Sequence, residues 1–311
     1  MVVLITGATG LIGSKIVEQC LLMGHTIHYL TTSRDKIQTT STYKGFYWDP
    51  YNDDIDDACF DQVEIIINLV GASIAKRWTS SYRKTILDSR TKTTTLLYKR
   101  VKNLHTIVRH VISASAIGIY KSSYTNFYTE ESTEFDDGFL GMVVQEWEAA
   151  VDQFQHIGIM TSKVRIGLVL SNDGGAYPAI EKPVKYYLGA AFGDGKQWQS
   201  WIHIDDLVNI FLHIANEELS GVYNGVAPNP VSNNRLTQVV SDAHRTRVLL
   251  PNVPRFIMKI ALGKMHQLLF DSQRVSARKI QDTGYMFEHD NVHSAINALV
   301  HEQKEQVNTL A

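Results

Sequence analysis

A chain of 311 residues, 44% hydrophobic and 20% charged, has the composition of an ordinary globular protein with material for a sizeable core. Its formal net charge of -2 gives no reason to expect nucleic acid or an anionic membrane as partner, and no apolar run approaches the ~20 residues that span a bilayer. Cys20 and Cys59 form no metal or redox spacing, so both are expected to be packing residues in a reducing cytoplasm. The sequence enters a strand at its first residues, so no signal peptide is expected.

The first stretch, Val2 to Ile5, is a short β-branched run that reads as a buried strand. Gly7, Gly10 and Gly13 follow at three-residue intervals, and a helical pattern begins with Leu11, Ile12, Ile16, Val17 and Leu21. A strand that turns sharply into a helix leaves the first helical N–H groups without partners, and these donors, with the positive end of the helix dipole, suit a pyrophosphate. Gly7 permits the turn, Gly10 removes a side chain that would block the phosphate, and Gly13 lets the helix lie close to the sheet. Gly7, Thr9, Gly10, Leu11, Ile12 and Gly13 are therefore the expected dinucleotide contacts.

Further along, strands are expected at Thr26 to Leu30, Lys44 to Trp48, Val63 to Val70, Val108 to Ser113 and Thr161 to Leu170. Helices are expected from Tyr82 to about Lys102 and over 139–156. This alternation predicts parallel βαβ units, hence an α/β protein with a doubly wound parallel sheet. The second half changes character. Gly174 to Ala176 and Gly189 to Gly195 read as loops, Trp201 to Asp206 leads into a helix through Ala215, Gly221 onward reads as strand then turn, and the tail from Pro251 is mostly helical. The expected organisation is a nucleotide-binding domain over 1–170, completed by about 201–227, with 171–200 and 228–311 as a smaller, mostly helical region on the substrate side. No linker separates them, so a shared cleft is expected.

The choice of dinucleotide is made at the end of the second strand, where an acid binds a ribose 2′-hydroxyl and an arginine accepts a 2′-phosphate. Ser33 and Arg34 offer a hydroxyl and a planar cation there, which predicts NADP(H). Asp35 keeps NAD(H) open, since a shift of one residue would put the acid first, and Arg34 could be a solvated loop charge. Leu69, Val70 and Gly71 lie at a strand end where small residues allow a ribose to pass.

The chain resembles the extended short-chain dehydrogenase/reductases, in the NAD-dependent epimerase/dehydratase superfamily, and more narrowly the atypical subgroup of epimerase family proteins with a C-terminal domain of unknown function. The matching residues run in order along nearly the whole chain: Thr6 to Gly13, Asn68 to Ile74, Arg77 to Thr79, Ser89 and Arg90 with Thr94, Ser113 to Tyr120, Thr129 and Glu130, Trp147 and Glu148, Arg165 to Leu170, Gly174 to Ala176, Ser200 to Asp206, and Asn224 to Pro228. Residues 250–299, with Pro251, Pro254, Arg274 and Tyr285, resemble the C-terminal domain. The resemblance implies a Rossmann fold holding NADP(H), with Ser33, Arg34, Leu69, Val70 and Arg90 among the contacts.

It also implies a catalytic serine, for which Ser115 stands in position, and a Tyr-x-x-x-Lys helix. The helix from Phe139 to Glu148 has neither tyrosine nor lysine. Tyr98 and Lys102 have the spacing but precede the serine strand at the end of an earlier helix. Tyr120, Glu130 and His203 are the remaining candidates for proton transfer; equally, Tyr120 could be a packing residue, Glu130 a cap, and Asp205 an N-cap of its helix. Arg77, Trp78 and Lys84 could hold an anionic group. Gln197, Gln199 and Trp201 occupy the region where extended relatives contact a nucleotide-sugar, and the absence of a placed arginine there argues against a UDP-sugar; no histidine spacing suggests zinc. The expectation is an NADP-dependent oxidoreductase or epimerase of a small molecule, against an NADP(H)-binding sensor or partner-binding protein without turnover.

Overall fold

A computed structural model describes residues 1–104 and 106–310. Its elements in chain order are β1 (Val2–Thr6), α1 (Leu11–Leu22), β2 (Thr26–Thr31), β3 (Tyr43–Asp49), β4 (Asp54–Ile55), β5 (Val63–Asn68), α2 (Ser80–Leu104), β6 (His110–Ala116), β7 (Phe127–Tyr128), α3 (Phe139–Asp152), β8 (Met160–Ile166), β9 (Leu168–Ser171), β10 (Gly174–Gly175) and α4 (Tyr177–Lys185). They continue with β11 (Trp198–Gln199), β12 (Trp201–His203), α5 (Ile204–Asn216), β13 (Gly221–Gly225), β14 (Val231–Ser232), α6 (Asn233–Ala243), α7 (Arg255–Leu262), α8 (Gln267–Phe270), β15 (Arg274–Val275), α9 (Arg278–Asp282) and α10 (Val292–Leu310).

The main sheet has eight strands in the order β13-β8-β6-β5-β1-β2-β3-β4, parallel throughout except for the short β4 at the edge. Its strands are apolar on both faces because both faces are covered, as parallel sheets require. Leu4, Ile66 and Val111 pack with Leu96, Leu97 and Val101 of α2. Their neighbours Val3, Ile5, Ile65 and Ile67 join Ile16 and Cys20 of α1 and Leu207, Ile210 and Phe211 of α5 in a second cluster. A third cluster, of Tyr177, Val184, Leu236, Val240, Ile296 and Leu299, binds α4, α6 and α10 into the smaller region.

The sheet order reverses beside β1, so the carboxyl ends of β1 and β5 diverge into a crevice, the place where open α/β sheets bind ligands.

Four expectations need correcting. The strand expected from Thr161 to Leu170 is two strands, β8 and β9, broken at Gly167. A Cβ there would lie 2.2 Å from the Ser200 carbonyl, because the chain leaves the main sheet at this residue to pair β9 with β12 in a separate three-stranded sheet. Gly174 and Gly175 are not a loop but a short antiparallel partner of β9. The strand expected to run to Val70 ends at Asn68. Helices α4 and α6 lie in segments for which the sequence reading gave no element. Of the expected completing segment 201–227, β13 enters the main sheet beside β8, whereas β12 does not. Among the described residues no helix is long and apolar enough to cross a membrane.

Candidate active site

The turn after β1 is built on close backbone contacts. Gly7 has φ +70, and a Cβ on it would lie 3.1 to 3.2 Å from the backbone of Leu69 and Val70. Gly10 donates its N–H to the Gly7 carbonyl at 2.9 Å and is the N-cap of α1, with no side chain capping the helix. Orphan donors of the first helical turn therefore face the crevice uncapped. Gly13 touches the same turn, for a Cβ there would sit 2.2 Å from the Gly7 carbonyl oxygen. Thr9 and Gly10 are exposed, with Leu11 and Ile12 half-buried beside them.

Beneath the turn, the Thr6 hydroxyl donates to Asn68 Oδ1 at 2.7 Å and accepts from the Leu69 and Val70 N–H groups. Asn68 Nδ2 donates to Thr94 and Ser113. This buried set ties the ends of β1, β5 and β6 to α2, and fixes the floor on which Leu69, Val70 and Gly71 stand.

At the end of β2, the Arg34 guanidinium lies 3.9 Å over the Tyr47 ring and makes no ion pair among the described residues. Its 3-10 turn, Arg34–Lys36, is held by Tyr29, whose hydroxyl donates to the Lys36 carbonyl and accepts from the Gln38 N–H, both at 2.7 Å. Ser33 precedes it, its N–H bonded to Thr31 Oγ1.

A cavity of about 400 Å³ opens over the carboxyl ends of β5, β6 and β8, beside Ile12. Arg90 of α2 forms part of its wall. It donates to the Ala72 and Ile86 carbonyls, and its Cζ lies 5.2 Å from the Trp147 ring. Burial pulls this guanidinium down to about 10, and no carboxylate pairs with it among the described residues. A glycine at 71 is what admits it, since a Cβ there would lie 2.9 Å from Arg90 Cζ.

Of the four candidate catalytic residues, Ser115, Tyr120, Glu130 and His203, only Ser115 lines the cavity. Its hydroxyl donates to Glu148 Oε1 at 2.6 Å. Glu148 is gripped by Arg165, whose Nε and Nη2 donate to its two oxygens at 2.8 Å each. Arg165 Nη1 donates to the Tyr120 hydroxyl, which donates to Asn224 Oδ1. Asn224 in turn gives its backbone N–H to Glu130 Oε1 at 2.7 Å. Tyr120 is fully buried, and burial, only partly offset by Arg165, pushes its phenol up to about 12. Burial also raises Glu130, against the opposing bond from Asn224. Both therefore belong to the frame behind the cavity wall.

His203 lies elsewhere. It is the N-cap of α5, its Nδ1 accepting from the Asp205 N–H, so the cap expected of Asp205 belongs to His203. Burial and the adjacent His289 draw its imidazole down to about 4. One ligand atom each from His203, Asp205 and Glu302 lie within 4.8 Å of one another, a grouping no sequence spacing could show. Lys15 stands 3.8 Å from that Asp205 carboxylate.

Where a tyrosine and lysine were looked for, α3 turns Leu140, Val143, Val144 and Trp147 to the cavity. Tyr98 packs edge-on against Phe154, with Lys102 over its ring, far along α2 from this wall. Arg77, Trp78 and Lys84 do not converge: the Trp78 indole donates to the Ile74 carbonyl, and Lys84 pairs with Asp88. Gln199 reaches the cavity, whereas Gln197 and Trp201 are buried. Sequence reasoning missed the Glu148–Arg165 pair, although Trp147, Glu148 and Arg165 all stand among the matching residues. It also missed Asp271, an acid on the cavity wall with no motif around it.

A parallel sheet in this order, with an uncapped glycine turn at its crevice, defines a nucleotide-binding α/β protein of the Rossmann class. Comparison with known proteins narrows this. Residues 3–137 match the NAD dependent epimerase/dehydratase family, and residues 253–299 match a domain of unknown function, DUF1731. The chain is 38% identical over 308 residues to epimerase family protein SSP1921 of Staphylococcus saprophyticus, covering 96% of this chain and 99% of the relative. It is 34% identical to epimerase family protein SA0724 of Staphylococcus aureus at the same coverage. The chain belongs to this epimerase family. Among solved structures it is similar to human epimerase family protein SDR39U1 with NADPH, at TM-score 0.83 and 26% identity over 97% of this chain and 99% of that one. A nucleoside-diphosphate sugar epimerase of Corynebacterium glutamicum gives TM-score 0.77 and 28% identity over 99% of this chain, but only 61% of that longer one. UDP-glucose 4-epimerase of Thermotoga maritima, at 15% identity and TM-score 0.79, shares the fold.

Proposed function

We propose that the chain binds NADP(H) across the crevice and acts as an oxidoreductase or epimerase on a small molecule held in the cavity beside it. The observation that carries this reading is Arg34: a guanidinium stacked on Tyr47 at the end of β2, without an ion pair among the described residues, on the same sheet edge as an uncapped glycine turn. Residues Gly7 to Gly13 would hold the pyrophosphate, Ser33 and Arg34 the 2′-phosphate, and Leu69 to Gly71 with Arg90 the second ribose and its phosphate. When bound, the nicotinamide supplies a hydride donor or acceptor. The NADPH in the human relative supports the same choice.

The apolar face of α3 favours a second reading, an NADP(H)-binding sensor or partner-binding protein without turnover, because it offers no phenol to the cavity. Free, buried Cys20 and Cys59 fit a reducing compartment such as the cytoplasm.

Both readings require the nucleotide. At one hundred times its Kd, NADPH stabilises the native state by about 2.7 kcal/mol, and thermal unfolding should show a rise in Tm larger than with equal NADH. Gly10→Val should keep the fold and lose the rise. Equal shifts, or a shift that survives Gly10→Val, would remove the loop or Arg34 from the site.

A further inference from the structure

The cavity wall carries two charged residues among those described, Arg90 and Asp271. Asp271 follows α8 in the C-terminal region, and its neighbours are stapled in place. Ser272 Oγ donates to the Ser123 carbonyl and accepts from the Trp198 N–H, and Gln273 Nε2 donates to the Tyr120 carbonyl at 2.6 Å. A carboxyl flanked in this way keeps its position against the carboxyl ends of β6 and β8. No described donor bonds to its oxygens. Asp136 faces it from the segment before α3, its own carboxylate accepting the Gly138 and Gly141 N–H groups, and Arg255 of α7 faces it with the opposite charge. His266 and Arg255 both lie against the Phe270 ring next to it, and Arg90 stands elsewhere on the wall.

We propose that Asp271 is the acid–base group of the cavity, giving and taking the proton that the tyrosine absent from α3 would otherwise handle. The assignment rests on the dinucleotide reading above. In the reducing direction the Asp271 carboxyl gives its proton to the oxygen of a carbonyl group while the carbonyl carbon accepts a hydride from the reduced nicotinamide. The carbonyl becomes an alcohol, and the Asp271 carboxylate regains a proton from water. The reverse direction removes a hydroxyl proton to Asp271. Burial, with the Asp136 charge adding to it and Arg255 opposing, lifts this carboxyl to about 6, close to the working pH of a general acid–base group. Tyr120, raised and bonded on both sides, has no such freedom.

Because the oxidised nicotinamide carries a positive charge and the reduced one does not, an acid beside the ring must titrate lower with NADP⁺ than with NADPH. Proton release on binding, measured by calorimetry in buffers of different ionisation enthalpy between pH 5 and 7, reads this directly. A displacement of about one pH unit makes NADP⁺ release about half a proton more than NADPH near pH 5.5. The 2′-phosphate, which titrates near pH ~6, contributes equally to both nucleotides and cancels in the difference. The difference should vanish in Asp271→Asn and in Asp271→Ser, with NADPH still bound by both. A wild-type difference of zero, or one that persists in either variant, overturns the assignment of Asp271. If neither nucleotide binds wild type, the dinucleotide reading itself fails, and this assignment with it.

Discussion

Glu148→Ala is expected to lower the unfolding free energy by about 3–5 kcal/mol, the usual cost of leaving one member of a buried ion pair alone. The side chains of Glu148 and Arg165 are 10% and 4% exposed, and two parallel N–H···O bonds join them. Removal of the carboxylate strands a cation among Ser115, Tyr120 and apolar walls. Replacement of both partners, as Glu148→Leu with Arg165→Met, should recover most of the loss, since well-packed apolar groups often match a buried pair. Urea unfolding of the three proteins checks this; a single variant within 1 kcal/mol of wild type would mean that the pair is solvated. The pH dependence has a definite sign. Burial alone would raise the Glu148 carboxyl, but the bonds and charge of Arg165, helped by Ser115, outweigh it and hold the group below its usual value. A carboxyl whose folded value is depressed contributes stability above its unfolded pKa of ~4.3 and loses that contribution as pH falls through the lower folded value. The gap between wild type and Glu148→Ala should thus be full at pH 7 and close in acid below pH ~4.

Gly13→Ala carries the second large effect. Its Cβ would lie 2.2 Å from the Gly7 carbonyl oxygen and 2.9 Å from Ala8 Cα, both backbone atoms that cannot swing aside. Helix α1 must lift from the turn, at a cost of about 1–3 kcal/mol for an overpacked contact. The turn then loses the geometry that aims its N–H groups, so the NADPH-dependent rise in Tm should disappear. Gly24→Ala is the control: Gly24 has φ +77 but nothing within 4 Å of a Cβ, so it should lose about 1 kcal/mol and keep the nucleotide response. A Gly13→Ala protein that still responds to NADPH would show that the turn is not the binding surface.

The parts of this molecule that are legible in its sequence are those encoded locally. The run from Val2 to Ile5, the glycines at 7, 10 and 13, and the strand through Ile65 to Ile67 each carry their own periodicity or turn chemistry, and each forms the expected element. Arg34 was expected at the end of β2, and the structure has it in the turn that follows that strand. What could not be read is long-range. The Ser115–Glu148–Arg165–Tyr120–Asn224–Glu130 chain joins residues from five separate segments, and nothing in the spacing says that Tyr120 is sealed while Ser115 faces a cavity. Gly167 looked like an ordinary strand residue because the carbonyl it must avoid belongs to Ser200. Asp271 stands between Phe270 and Ser272 with no motif around it, and only the folded C-terminal region brings it to the wall beside α3.

The proposed preference for NADP(H) places recognition of the 2′-phosphate at Arg34. Direct titration of purified protein with NADPH and with NADH, followed by calorimetry, tests it. A charge-assisted pair with phosphate is worth about 1.5–3 kcal/mol, so NADPH should bind at least about tenfold more tightly. Arg34→Ala should bring the two affinities together by weakening NADPH alone. Equal affinities in wild type, or a preference that survives Arg34→Ala, would remove Arg34 from nucleotide selection, and the absence of binding at millimolar nucleotide would rule out a dinucleotide site.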